Sequence, residues 1–464
     1  MENIAELFKS QKLFFASGHT YAVSWRHEQL TKLKRMLQDN TDAILDCLFD
    51  DLRKPAYEAY TSEIGVVLAE IDHALKNLAK WTKPQKIHTP LINTPSTGMH
   101  YAVPYGSVLI IGPWNYPVLL LLQPLVASLA AGNCAVLKPS EHAQTTGKFL
   151  YKIIKETFSP EVVSCFLGDA QKTVNAIEYG RPDKVFFTGG TTTGQKVMTQ
   201  CAVHLIPVVL ELGGCCPCIV EADAEIEVSA RRVIWGKFFN AGQTCIAPNN
   251  CYVHSSIIDD FMNALCRIIN EFYGSNPKQS PNYARIINEN HYERIRALYA
   301  STDLKPVKGG DFDRNDYYIS PTIFRVEPGV SNPFTEEIFG PILPVIIYEN
   351  IDNILTEIGR QSKPLAVYLF TKSKELIKQV RIKTVSGNFC VNSTLQMMLC
   401  NELPFGGIGQ SGIGRYHGRA GFENLSYRRA EFKKPFNPDF RSFMYPPYKI
   451  PLGFVRKVFS LLMK

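Results

Sequence analysis

The chain has 464 residues, 45% hydrophobic and 20% charged, which excludes wholesale disorder and a fibrous fold. Its length exceeds what one compact core fills, so two or three subdomains are expected. The net charge of +7 sits at the end, where nine basic and two acidic residues follow Ser426 and leave the preceding chain balanced; a nucleic-acid binder, whose charge gathers on its reading domain, is not expected.

To about Lys80, apolar residues recur at helical spacing, as in Leu30, Leu33, Met36 and Leu37 and again in Val67, Leu68, Ile71 and Leu75. Prolines and a glycine over 84–104 break that rhythm around short alternating runs and predict a hairpin leaving the body. Strands and helices then alternate. Apolar runs at 107–111, 135–137, 162–166, 184–187 and 208–210 are separated by helical stretches at 117–131, 143–157, 171–179 and 192–203. A second set places strands at 217–220, 251–254, 343–348, 365–370 and 386–391, with helices between them. The expected class is α/β, with two doubly wound parallel-sheet domains and a small β bridging or oligomerisation element. The expected division is 1–83 with 105–208 for one domain, 209–391 for the other, and 84–104 with 392–440 for the bridging element. A basic amphipathic tail, 441–464, completes the chain; its Phe454, Val458 and Leu462 align on a helix, with Arg456, Ser460 and Lys464 on another face.

The most apolar stretch, Val118 to Ala131, is 14 residues interrupted by Gln123, Pro124 and Ser128, too short to span a bilayer. The opening MENIAELFKSQK is not a secretory signal. A reducing, cytoplasmic compartment is therefore expected, with the 12 cysteines mostly thiols.

Several strand ends carry chemistry. Gly242-Gln243-Thr244-Cys245 suits a thiol on a tight turn, where a thiolate attacks and a backbone N–H holds an oxyanion; on its own it is equally a buried small hydrophobe. Glu211 ends an apolar run before Gly213-Gly214, and a carboxylate at a parallel strand's end is a candidate general base. Asn115, in Pro113-Trp114-Asn115, caps the following helix or donates to an oxyanion. Lys138 and Glu141 reach ribose hydroxyls or form a weak exposed pair. Gly189, Gly190 and Gly194 lie where a helix start would receive phosphate, or form a plain turn. Gly407-Ile408-Gly409-Gln410-Ser411-Gly412 satisfies G-x-G-x-x-G, but no buried strand precedes it and no apolar helix follows, so it is rejected as a dinucleotide site. Cys215-Cys216-Pro217-Cys218 lacks the partners of a closed zinc site, so no metal is expected.

Taken in order, these segments and Glu337-Ile338-Phe339-Gly340-Pro341 resemble the NAD(P)-dependent aldehyde dehydrogenase superfamily across almost the whole chain. Arg26-His27-Glu28-Gln29-Leu30, Leu403-Pro404-Phe405-Gly406-Gly407 and Tyr416-His417-Gly418 look like its class 3 or fatty-aldehyde branch. The resemblance implies that Cys245 attacks the aldehyde, Asn115 holds the oxyanion and Glu211 activates the water that hydrolyses the thioester. It implies cofactor contacts at Trp114, Lys138, Glu141, Gly189, Gly190, Gly194, Glu337 and Phe339, with NAD or NADP as cofactor. Glu141 favours NAD through the ribose 2′-OH, while class 3 relatives accept both. The family usually has Lys and then a small residue after Gly213-Gly214; here Cys215 and Cys216 stand instead, which removes a charge behind Glu211.

The reading is oxidation of a small-molecule aldehyde, apolar and medium- or long-chain aliphatic or polyene, to its acid by a homodimer, with the tail resting on a membrane or on the body. A CoA-acylating dehydrogenase, a cofactor-independent thiol hydrolase pairing Cys245 with His254, and a silent relative are the alternatives.

Overall fold

The computed structural model describes residues 4–330, 332–437 and 445–462. One six-stranded sheet runs in the order Gly412–Ile413, Val208–Glu211, Lys184–Thr188, Ser107–Ile111, Cys134–Lys138, Val163–Cys165. Its strands are parallel except Gly412–Ile413, which pairs antiparallel with Leu210 and Glu211. Ser107–Ile111, Cys134–Lys138 and Lys184–Thr188 are buried at every residue, because helices cover both faces; hence their near-continuous apolar runs. Helix Leu119–Ala131 is likewise buried at every position, and a helix apolar all round is stable only when enclosed.

A seven-stranded sheet runs in the order Pro306–Lys308, Thr322–Val326, Ile342–Tyr348, Pro248–His254, Cys216–Val220, Ala366–Phe370, Asn388–Val391. It too is parallel, apart from Pro306–Lys308 at one edge. The architecture is thus α/β with two parallel-sheet bodies. A ribbon of Gln85–Ile87, Thr97–Pro104 and Ser426–Lys433 projects from them, fully antiparallel, as the predicted hairpin requires. Helix Glu289–Ala300 and strand Thr322–Val326 have no counterpart in the elements read from sequence.

The opening helices pack their apolar stripe, including Leu30, Leu33 and Leu37, into the same core as Val67, Ile71 and Leu78 of helix Gly65–Trp81. A π-turn, Tyr60–Ile64, precedes that helix; such turns cluster at functional sites. Helix Leu452–Leu462 of the tail lies beside the turn Leu91–Asn93. Val455, Val458, Phe459 and Leu462 are half-buried, while Leu452, Phe454 and Leu461 face solvent. Of the tail's basic residues, Arg441 and Lys464 lie outside the described residues. Among the described residues no helix is long and apolar enough to cross a membrane.

Candidate active site

Strands Ser107–Ile111, Cys134–Lys138, Lys184–Thr188 and Val208–Glu211 run parallel and end at one edge of the first sheet. The loops after them therefore converge, as parallel α/β sheets require. Cys245 reaches the same place from the other sheet, on the connection between helix Ile226–Phe238 and strand Pro248–His254. A cavity of about 370 Å³ brings together Trp114, Asn115, Glu211, Cys245, Glu337 and Phe339. A groove of about 800 Å³ shares Trp114, Gly189 and Gly190 with it and leads to Lys138 and Glu141, which form an ion pair. Gly194 lies outside both; a Cβ there would fall 2.5 Å from Leu212, so this glycine serves close helix–strand packing. On the far side, an apolar chamber of about 130 Å³ contains Tyr116, Leu119, Trp235 and Phe239 and shares Leu120, Cys245 and Met398 with the first cavity. Cys245 is the reactive group common to the cavity and the chamber.

The thiol is presented by a tightly tied loop. Asn240 and Ala241 take φ of 52° and 50°, and Gly242 follows at 76°. A Cβ at Gly242 would fall 2.3 Å from the Gly340 carbonyl, so close approach as well as positive φ requires glycine. The strained pair is held by partners: Asn240 N–H donates to Glu58 Oε1 (2.7 Å) and Asn240 Nδ2 donates to the Asn115 carbonyl (2.8 Å). Gln243 Nε2 donates to the Arg285 carbonyl (2.9 Å), and its Oε1 accepts from Ile287 N–H (3.1 Å). Thr244 Oγ1 lies 2.6 Å from Tyr116 Oη, and Cys216 Sγ donates to the Cys245 carbonyl (3.5 Å). Burial pushes the Cys245 thiol up to about 12, with the carboxylates of Glu337 and Glu211 adding to the effect.

Asn115 Nδ2 donates to the Gln243 carbonyl (2.9 Å), which leaves its second N–H available. Behind it lies a charged cluster that the sequence reading missed. The fully buried Lys54 pairs with the equally buried Glu63 and donates to the Asn115 carbonyl (3.0 Å). Glu63 Oε2 accepts from Val118 N–H (2.8 Å), anchoring the start of helix Leu119–Ala131. Helical periodicity was the available signal, since Glu63 and Glu70 fall on the stripe of Val67, Ile71 and Ala74 where charge has no business unless paired.

Glu211 is buried and neither carboxylate oxygen has a hydrogen-bond partner. Burial raises its pKa well above the ordinary value, opposed by Arg415. Glu337 presses on Gly213, where a Cβ would fall 2.1 Å from Oε2; burial lifts it to about 7, and its Oε1 is unpartnered. The charge missing at Cys215 is present nearby on a different element. Lys237 of helix Ile226–Phe238 is fully buried with an unpartnered Nζ, and burial drops it to about 7 against the pull of Glu337, Cys216 and Cys215.

The rejected glycine motif is a clamp. A Cβ at Gly407 would fall 1.9 Å from the Ser411 carbonyl, and Leu212 N–H donates to that same oxygen (3.1 Å), so the turn braces the strand bearing Glu211. His254 lies within 2.8 Å of Ser256 Oγ and lines none of the three cavities. Among the described residues no group of three or more His, Cys, Asp or Glu is placed to hold a metal ion.

Residues 2–430 match the aldehyde dehydrogenase family. The chain is 39% identical to 4,4′-diaponeurosporen-aldehyde dehydrogenase of Staphylococcus aureus, over 99% of this chain and 100% of that one. It is 40% identical to aldehyde dehydrogenase family 3 member B1 of Rattus norvegicus, over 97% and 95%. Among solved structures, the substrate-bound state of Staphylococcus aureus AldH superposes with a TM-score of 0.95 at 38% identity, covering 99% of this chain and 100% of that one.

Proposed function

Given that the chain belongs to the aldehyde dehydrogenase family, we propose that this enzyme oxidises an apolar aldehyde, medium- or long-chain aliphatic or polyene, to its acid with NAD or NADP. The observation that carries this reading is the position of Cys245 where the cavity continuous with the groove meets an apolar chamber. The apolar side would take the first carbons of a polyene or acyl chain, and a relative at 39% identity is named for a polyene aldehyde.

The groove suits a dinucleotide. Lys138 and Glu141 offer an acceptor and donors to ribose hydroxyls, the start of helix Thr191–Val203 offers backbone N–H groups to a pyrophosphate, and the unpartnered Glu337 Oε1 faces the shared cavity. Trp114 and Phe339 flank the passage. When bound, the nicotinamide supplies a hydride acceptor. Cys245 gives its proton to a neighbouring carboxylate and attacks the aldehyde carbon. The free N–H of Asn115 and the Cys245 backbone N–H hold the oxyanion. After oxidation, Glu211 takes a proton from the water that attacks the thioester, and its raised pKa suits a base working near neutrality. Glu211 favours water over CoA as acyl acceptor, and His254, turned to Ser256, is not placed as a hydrolase partner.

Two further proposals concern partners. Strand Ser426–Lys433 is exposed along seven of its eight residues, and Asn388–Val391 forms an open edge of the second sheet; strand addition between two copies would cover both, giving a homodimer. The outward Leu452, Phe454 and Leu461 beside Arg456 and Lys457 suit contact with anionic lipid, so the enzyme would work in the cytoplasm at a membrane surface.

The test is reduction of NAD and NADP with short, long and polyene aldehydes. The highest kcat/KM is expected for long or polyene substrates. A preference for short hydrophilic aldehydes would overturn the substrate assignment, and no cofactor reduction with any aldehyde would overturn the reaction.

A further inference from the structure

Behind the wall of the catalytic cavity opposite the nucleotide groove lies a set of buried polar side chains that the reaction as described does not use. Tyr416 lines the cavity with Glu211 and Cys245. The ring of His417, next in the chain, meets the Tyr416 ring edge-on at 4.5 Å and stacks on Phe405 at 5.4 Å. Gly418 N–H donates to Glu70 Oε1 (2.6 Å). Gln123 lies beside the Glu70 carboxylate without hydrogen-bonding geometry. A Cβ on Gly418 would fall 3.1 Å from His73 Nε2, and that nitrogen is 3.6 Å from Glu402, whose side chain is 76% exposed. These polar side chains are thus strung, without direct hydrogen bonds between them, from Tyr416 at the catalytic cavity to Glu402 at the surface.

Its members are expensive where they stand. Glu70 Oε2, both amide atoms of Gln123, both ring nitrogens of His417 and His73 Nε2 are buried without a hydrogen-bond partner in the chain. Each such group costs about 1–3 kcal/mol if left unsatisfied. His417 also holds φ 75° with ψ 132°, outside the left-handed helical region and costly for any residue with a Cβ. Packing alone would be better served by apolar residues at these positions, whereas buried waters bridging the groups would satisfy them.

Hydrolysis at Cys245 would use such a file of polar groups. The water oxygen bonds the acyl carbon, and the carbon–sulfur bond breaks with its electron pair left on Cys245. One water proton passes to Glu211 and the other leaves on the carboxylic acid. Glu211 must lose that proton before the next hydrolysis, yet it is 3% exposed. Until product and cofactor leave, they would close the apolar chamber and the groove as routes for that proton. Tyr416 lines the cavity outside both the groove and the chamber.

We propose that Tyr416, His417, Glu70, Gln123 and His73, bridged by buried waters, form a proton exit from Glu211 to the surface at Glu402. Burial lifts the Glu70 carboxyl to about 7, opposed by Gly418 N–H and Gln123, so it takes and releases a proton near neutral pH. Burial lowers His417 to about 3, which keeps its ring neutral, with one nitrogen to donate and one to accept. Arg415, adjacent to Tyr416, favours the charged form of Glu211 and so favours proton departure.

The proposal rests on Glu211 as the hydrolytic base, and one experiment separates the two. Glu70→Gln keeps an acceptor for Gly418 N–H but cannot relay a proton as a carboxylate does. In the full-length enzyme with NAD and saturating aldehyde, kcat is expected to fall at least about tenfold. A burst near one NADH per site should appear, the solvent deuterium effect on kcat should rise, and millimolar imidazole should restore part of the rate. His417→Asn, which removes the imidazole and keeps a polar side chain, gives the same test if Glu70→Gln fails to fold. A kcat within twofold of wild type overturns the exit. A fall in kcat without a burst, or without imidazole rescue, makes the cluster purely structural and also overturns it. A missing burst in Glu211→Gln instead overturns Glu211 as the hydrolytic base.

Discussion

The two sides of Cys245 are built by different means. The groove side is made by the loops after parallel strands and the first turns of helix Thr191–Val203, so its polar groups arrive in short consecutive motifs. The chamber side is made of side chains from segments far apart: Tyr116, Leu119 and Leu120 at the head of one helix, Trp235 and Phe239 at the end of another, and Met398 on the turn Gln396–Leu399. Walls made of such motifs change only when a whole motif changes. Side-chain walls set the shape of the guest and can be recut one residue at a time. Chemistry is placed at the seam.

Cys245→Ala removes the group common to both sides and should lower turnover by roughly 10⁴-fold or more while NAD still binds, as read by quenching of protein fluorescence. Retained turnover would mean the seam is elsewhere. Glu211→Gln should reduce steady-state turnover by about 10²–10⁴-fold yet leave a burst of NADH near one per site. In the wild type the base form of Glu211 grows as pH rises, because its carboxyl is held above the ordinary range; hydrolysis should therefore decline on acidification through a midpoint above 4.5.

Lys54→Met strands the carboxylate of Glu63 inside the core and should cost about 3–5 kcal/mol, measured as a fall in the urea midpoint. An unchanged midpoint would show that the pair is replaceable and not the anchor of the Asn115 turn. Met398→Trp should raise KM for long-chain aldehydes about tenfold and leave short ones nearly unaffected, since shape differences in an apolar pocket are worth about 1–3 kcal/mol. An equal rise for both would deny the chamber its role. Removing the chain from Pro451 onward should act on lipid contact and leave turnover of short aldehydes unchanged. Arg456 and Lys457 contribute about 1 kcal/mol each near anionic lipid, so vesicle co-sedimentation should weaken by no more than tens of fold. Unchanged sedimentation would leave the helix as packing against Leu91–Asn93.

This contrast also explains what the sequence disclosed. Strands such as Ser107–Ile111 were readable because both faces are buried, which leaves an uninterrupted apolar word bounded by turn residues. Thr322–Val326 was not, since half-buried Arg325 interrupts it, and helix Glu289–Ala300 buries only Tyr292 and Ile295. Asn115, Lys138, Glu141, Glu211 and Cys245 were legible because each stands at a strand or helix boundary beside Gly or Pro. Lys54, Lys237 and Met398 have no local signature; their importance comes from what folds over them. Glu63 and Glu70 lie between these cases, visible as acids on an apolar helical stripe to a reader who asks why they are there.

The turn Gln396–Leu399 touches the chamber but makes none of the hydrogen bonds that hold Cys245, Asn115 or Glu211. Descendants of this sequence can therefore exchange that turn and acquire new aldehydes without relearning the reaction. On the proposed reading, substrate range is the heritable variable of this architecture and the setting of Cys245 its invariant.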